Sequence, residues 1–169
     1  MQALRLAILF TVAVLFVLSL SAQAPNWLWA TGVEGSCDDH GNFIVVDDFG
    51  NHYITGNYSG TVSLGTFVLT SQHQNSKYIA KLSPAGDYLW AVGIGANTLS
   101  ISGIDLDGSS NLYLTGSFKG SLNIGSSTLH SYNAETSSVY IAKLSADGVW
   151  VWANSASGYY NDYPSDIAV

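Results

Sequence analysis

The residues best placed to do chemistry are acidic and stand beside glycine and asparagine. Asp105, Asp107 and Asn111 lie in the stretch Asp105-Leu106-Asp107-Gly108-Ser109-Ser110-Asn111. Oxygens at alternate positions there could converge on a hard cation such as calcium. Against this, Val45 stands at the related position where the second stretch has Asp105, and no Glu closes the loop in the EF-hand manner. The competing reading is a tight β-turn whose Asp and Asn side chains bond their own backbone. Such Asn/Asp-Gly turns are common between strands. The turn is the primary expectation and calcium the secondary one. Asp38-Asp39-His40-Gly41-Asn42 is a weaker version of the same pattern.

The other candidates are thinner. Trp27, Trp29, Trp90, Trp150 and Trp152 could stack on sugars, but their recurrence at fixed places favours core packing; Trp150 is the one most expected at the surface. His40, His52, His73 and His130 lack metal-ligand spacing, and His52 and His73 align with Leu112 and Asn133. No Gly-x-Ser-x-Gly, His-Glu-x-x-His or P-loop is present. Two carboxylates could pair for glycoside hydrolysis, but only their spatial separation would show it. Cys37 is the sole cysteine, so no internal disulfide forms and the residue reads as a small buried or loop position. No catalytic residue and no bound cofactor is assigned.

These residues are positioned by an internal repeat. Asp47-Asp48-Phe49-Gly50-Asn51-His52-Tyr53-Ile54-Thr55-Gly56 aligns at an offset of 60 with Asp107-Gly108-Ser109-Ser110-Asn111-Leu112-Tyr113-Leu114-Thr115-Gly116. Tyr78-Ile79-Ala80-Lys81-Leu82-Ser83 aligns at 62 with Tyr140-Ile141-Ala142-Lys143-Leu144-Ser145, so two residues are added within the polar stretch 132–138, where a loop tolerates them. Trp90-Ala91 matches Trp152-Ala153, and Trp29-Ala30 lies 61 residues before Trp90-Ala91. The units run over roughly 43–92 and 104–153. Residues 27–30 supply the last strand of a preceding unit, and Ile167-Ala168-Val169 opens a third from about 164. The chain stops just before the next turn Asp, which gives the expectation of a fragment of a longer protein.

Strong β formers separated by Gly, Asn, Asp and Ser at short intervals predict an all-β array. In the first unit the predicted strands are Phe43–Val46, His52–Thr55, Val62–Thr70, Tyr78–Leu82 and Tyr88–Val92. Gly65 within the third suggests a bulge or bend, and Ser83-Pro84-Ala85-Gly86-Asp87 reads as a turn. About four strands per unit suggest an antiparallel propeller blade. The unit exceeds the roughly 40–50 residues of familiar blades, and the excess is expected in loops and longer strands. Blades pack face to face, so runs such as Phe43-Ile44-Val45-Val46 should be buried on both sides. Lys81 and Lys143 are expected to snorkel or pair at a blade edge.

The words Asp-x-x-Gly-Asn-x-Tyr-x-Thr-Gly, then Tyr-Ile-Ala-Lys-Leu-Ser-x-x-Gly, then Trp-Ala, resemble those of the SBBP-type (seven-bladed β-propeller) repeat proteins, exported bacterial proteins common in Bacteroidetes-like secretomes. The resemblance covers about residues 27–169, with Ser110 in place of the turn glycine of the first unit. It implies a β-propeller, secretion and a longer parent chain, and it implies no activity.

The ends and the charge complete the reading. Arg5, the apolar run Leu6–Leu20 and the small residues of Ser21-Ala22-Gln23-Ala24 predict a secretory signal peptide over 1–24; the run is short for a membrane span. Twelve acids against five bases give a net charge of −7. With no basic cluster, nucleic acid is a poor partner. The expected function is a secreted, non-enzymatic module for protein interaction, adhesion or scaffolding that needs further blades to complete its fold. The alternatives are a carbohydrate- or calcium-binding module, or a non-catalytic part of a polysaccharide-active enzyme.

Overall fold

The structure is a computed structural model that describes residues 26–35, 39–96 and 98–169. The expected signal peptide and Cys37 lie outside the described residues. The chain is all-β, with no helix among the described residues. A first, short strand β1 (Glu34–Gly35) precedes the first unit, which comprises β2 (His40–Val46), β3 (His52–Tyr58), β4 (Thr61–Leu64), β5 (Phe67–Thr70), β6 (Ser76–Leu82) and β7 (Tyr88–Ile94). After the short β8 (Thr98–Leu99) the order repeats as β9 (Gly103–Leu106), β10 (Leu112–Lys119), β11 (Ser121–Ile124), β12 (Ser127–His130), β13 (Ser138–Leu144) and β14 (Trp150–Ala156).

Each unit builds one antiparallel sheet, in the order β2-β3-β6-β7 in the first and β9-β10-β13-β14 in the second. In the second, β8 also pairs with β10, at Leu99↔Phe118. Ser100 N–H to Ser117 O and Ser102 N–H to Thr115 O carry the ladder on to β9, so β8 and β9 are two pieces of one inner edge. The sheets are joined through β2 and β9, which lie side by side. No closed barrel forms among the described residues. This is the architecture of an incomplete, propeller-like array of blades.

The segment around Gly65 differs from the expected bulge. It is a hairpin, β4–β5, with Leu64 opposite Phe67 across a two-residue turn, and β1 pairs with β4 to make a three-stranded sheet apart from the main sheet of the unit. Gly65 opens that turn at φ +62°, the backbone that a first central glycine supplies in hairpin turns. Gly125 does the same between β11 and β12, at φ +59°. The extra length of the unit is therefore an inserted hairpin, which lies against the last strand of its own unit.

The main core sits between the two units. Tyr53 and Ile79 from one face of the first sheet join Ile104, Leu112, Leu114, Ala142 and Leu144 from the facing side of the second. The opposite face of the first sheet is only partly covered: Ile44 is 60% exposed and Val46 54% exposed. Both-sided burial is realised along β6, whose second face packs against the β4–β5 hairpin, and not along β2. Ile167-Ala168-Val169, expected as a first strand, forms none; the segment runs beside β9, where Val169 N–H donates to Asp105 Oδ2 at 2.8 Å.

Candidate functional site

The recurring polar residues assemble into one row across each sheet. In the first unit, cross-strand pairing sets Val45, Tyr53, Lys81 and Trp90 side by side. In the second, the same pairing sets Asp105, Tyr113, Lys143 and Trp152. Alternation along a strand puts every second side chain on one face, so each row faces the direction in which the next unit would lie. A bulge beside the tryptophan opposes Tyr88-Leu89 to Leu82 in one sheet and Trp150-Val151 to Leu144 in the other. It keeps Trp90 and Trp152 in their rows.

The turn aspartate closes one end of each row. Asp47 Oδ1 accepts the Phe49 and Asn51 backbone N–H groups at 3.0 and 2.8 Å, and the Asn51 side-chain amide donates to both carboxylate oxygens. Asp107 is held in the same way by Ser109 and Asn111. These are the self-bonded Asx turns expected from composition. The Lys81 ammonium lies 3.6 Å from Asp47 Oδ2 and 4.8 Å from the centre of the Tyr53 ring. Lys143 repeats the arrangement at 3.1 Å from Asp107 and 4.7 Å from the Tyr113 ring. Both lysines sit on interior strands of their sheets, not at a blade edge as expected. The register carries them to the turn carboxylate and the aromatic face, where ion-pair and cation–π attraction add.

The first row is used and the second is open. Tyr53 donates its hydroxyl proton to Ser110 O of the second unit at 2.9 Å. Trp90 Nε1–H donates to Ala146 O, also of the second unit, at 2.9 Å. One step earlier in the chain, Trp29 Nε1–H donates to Pro84 O at 2.9 Å. An indole therefore bonds the turn carbonyl of the following unit at two successive junctions. The glycine two residues past that carbonyl is needed for contact. A Cβ on Gly148 would come within 2.8 Å of the Trp90 ring, and one on Gly86 within 2.6 Å of Trp29. Both glycines also hold positive φ, +79° and +88°, which side chains disfavour. Trp152 stands in the equivalent place on the second unit, edge-on to Tyr113 at 6.0 Å, with no bond from its indole nitrogen among the described residues.

Electrostatics follows the same division. Burial pushes the Asp47 carboxyl up, but the Asn51 side chain, the Asn51 and Phe49 amides and Lys81 outweigh it and hold the group below the usual carboxylate range. The Asn51 counterpart, Asn111, leads the causes that hold Asp107 well below that range; its backbone amide, Lys143 and Ser109 add to it against burial. Lys143 is raised, first by its bond to the Tyr113 hydroxyl and then by Asp107. Burial raises Tyr53.

The calcium candidates do not converge on one point. Asp107 and Asn111 come together, but Asn111 turns its amide nitrogen, not its oxygen, toward Asp107. Lys143 stands where a cation would be held. Asp105 bonds Leu106 N–H and Val169 N–H instead. A cleft of about 420 Å³ lies between the two Asp turns. No cluster of three or more His, Cys, Asp or Glu side chains suited to a metal is found among the described residues. Of the tryptophans, Trp150 is half-buried against the core, whereas Trp27 is the one fully at the surface.

Sequence reasoning missed the indole-to-carbonyl contact. Its signal was available: Trp90 and Trp152 recur at the interval that separates the turn glycines Gly86 and Gly148, and Trp29 precedes Trp90 at one residue less. No protein-family model matches the chain, and no curated protein matches it.

Proposed function

We propose that this chain is a secreted, non-enzymatic repeat module of the β-propeller type, serving as a scaffold for interaction or adhesion, of the kind implied by its resemblance to exported bacterial SBBP-type proteins. The observation that carries this reading is the fate of the recurring residues. In the first row Tyr53, Lys81 and Trp90 are each committed to their own turn or to the neighbouring unit, so recurrence here serves stacking. Repeat units of this sort gain stability mainly from their neighbours. The open row of the second unit therefore calls for a further blade.

The test is an extension. Residues 107–156 appended after Val169 continue the repeat register, because Ile167-Ala168-Val169 aligns with Ile104-Asp105-Leu106. The added unit is expected to raise the melting temperature and to bring a turn carbonyl to Trp152. An added unit that leaves both the stability and the Trp152 environment unchanged would refute the stacking reading. The non-enzymatic part predicts no release of reducing sugar from polysaccharides.

A further inference from the structure

The residues that break the repeat gather in one place. Tyr132 begins the loop 132–137, which carries the two-residue insertion of the second unit, and Tyr159 and Tyr160 follow β14. In the first unit the place of Tyr132 is taken by Gln72, and the stretch after β7 holds no tyrosine. All three rings are exposed, at 55%, 69% and 78%, yet they are ordered against each other. Tyr132 meets Tyr159 edge-on at 5.7 Å, and Tyr159 meets Tyr160 edge-on at 5.2 Å.

The two loops that carry them are bonded together. Asp162 N–H donates to Ser137 O, and Ser137 N–H to Asn161 Oδ1, each at 2.8 Å. Asn133 Oδ1 accepts the Glu135 and Thr136 N–H groups, both at 2.8 Å. Rings fixed in this way lose little further freedom when something binds, which is how tyrosine-rich binding surfaces gain affinity.

The geometry points to a glycan-binding platform formed by Tyr132, Tyr159 and Tyr160, with a neutral oligosaccharide as its ligand. A pyranose ring presents one face of C–H bonds that packs on an aromatic ring, and a rim of hydroxyls that needs donors and acceptors. Both are supplied. The amide NH₂ groups of Asn133 and Asn161 and the carboxylate of Glu135 have no bonds recorded within the described residues, and all three residues are exposed. The loops carry Glu135 and Asp162 and no basic residue, so sulfated or phosphorylated ligands are disfavoured. They also carry no Ile, Leu, Val or Met, the aliphatic side chains that fill the contact between the two units beside Tyr53, Phe118 and Tyr140. The platform borders the next junction, because the stretch after β7 that corresponds to 158–162 holds Ala96 and Leu99, both buried in that contact. It lies at the start of β13, whereas Lys143 and the open row lie near its end, roughly 17 Å along the strand.

The test uses the full chain in calorimetric titrations with cellohexaose, xylohexaose, mannohexaose and chitohexaose. Binding of at least one is expected. Tyr159→Ala and Tyr160→Ala should each weaken it by about tenfold, the scale of one aromatic contact, whereas Tyr159→Phe should stay close to the parent. Trp152→Phe, in the open row, should leave it unchanged. The alanine variants alter exposed rings, and circular dichroism melts matching the parent confirm that they fold. Failure of all four sugars to bind, or undiminished binding by the alanine variants, overturns the proposal. So does concentration-dependent self-association that Tyr159→Ala abolishes, since the patch would then belong to a protein interface.

Discussion

Replacing Trp90 by phenylalanine removes the indole N–H that reaches Ala146 O at 2.9 Å while keeping a ring edge-on to Tyr53. The lost hydrogen bond is worth about 1 kcal/mol net. Ala146 O keeps a second donor, Lys81 Nζ, at 3.4 Å, so little is added for an orphaned acceptor. Shrinking the indole to a phenyl removes roughly the burial of one methylene, ~0.8 kcal/mol. The sum is about 2 kcal/mol. Trp152→Phe makes the same chemical change in the second unit, where the half-buried indole has no acceptor among the described residues, and should cost only the burial term, about 0.8 kcal/mol or less. Urea unfolding followed by far-ultraviolet circular dichroism separates the two. With an m-value of about 2 kcal/mol/M, the first variant should move the midpoint down by about 1 M and the second by less than about half of that. Equal shifts would refute the argument that the first row is engaged and the second is open.

Other outcomes follow from the same contacts. Gly148→Ala puts a Cβ within 2.8 Å of the Trp90 ring at φ +79° and should cost about 2–3 kcal/mol, whereas Gly108→Ala, with nothing within 4 Å, should be nearly neutral; thermal melts compare them. Ser110 is the only non-glycine residue with positive φ among the described residues, at 61°, so Ser110→Gly should stabilise by about 0.5–1 kcal/mol, strain relief exceeding the entropy of glycine. Asp47→Ala strands the buried Lys81 and should cost about 3–5 kcal/mol in urea unfolding. Asp47 and Asp107 are both held below their ordinary range. The unfolded chain therefore takes up protons first, and their contribution, complete above the unfolded carboxylate pKa of about 3.9, is lost as pH falls through the lower folded values. Melting temperature should fall from about pH 5 downward, and less steeply in Asp107→Asn.

Local features were legible in the sequence, and those that depend on register were not. Asp47, Asn51, Asp107 and Asn111 read correctly as turns because their bonds close within four residues. Gly65 was read as a bend because glycine marks bulges and tight turns alike, and only the pairing of Leu64 with Phe67 distinguishes them. Lys81 was visible as recurrent, but its partners Asp47 and Tyr53 come from strands far back in the chain, and one residue of slip would turn it to the other face. The tyrosine platform was missed for a different reason. Recurrence guided the choice of residues, and Tyr132, Tyr159 and Tyr160 do not recur.

The interlocking of the units is tested most directly by hydrogen exchange at the tryptophan indoles, resolved by nuclear magnetic resonance. Trp90 Nε1–H, bonded to the next unit, should exchange far more slowly than Trp152 Nε1–H, which should exchange near the rate of an open side chain. Equal exchange at the two indoles would contradict the account.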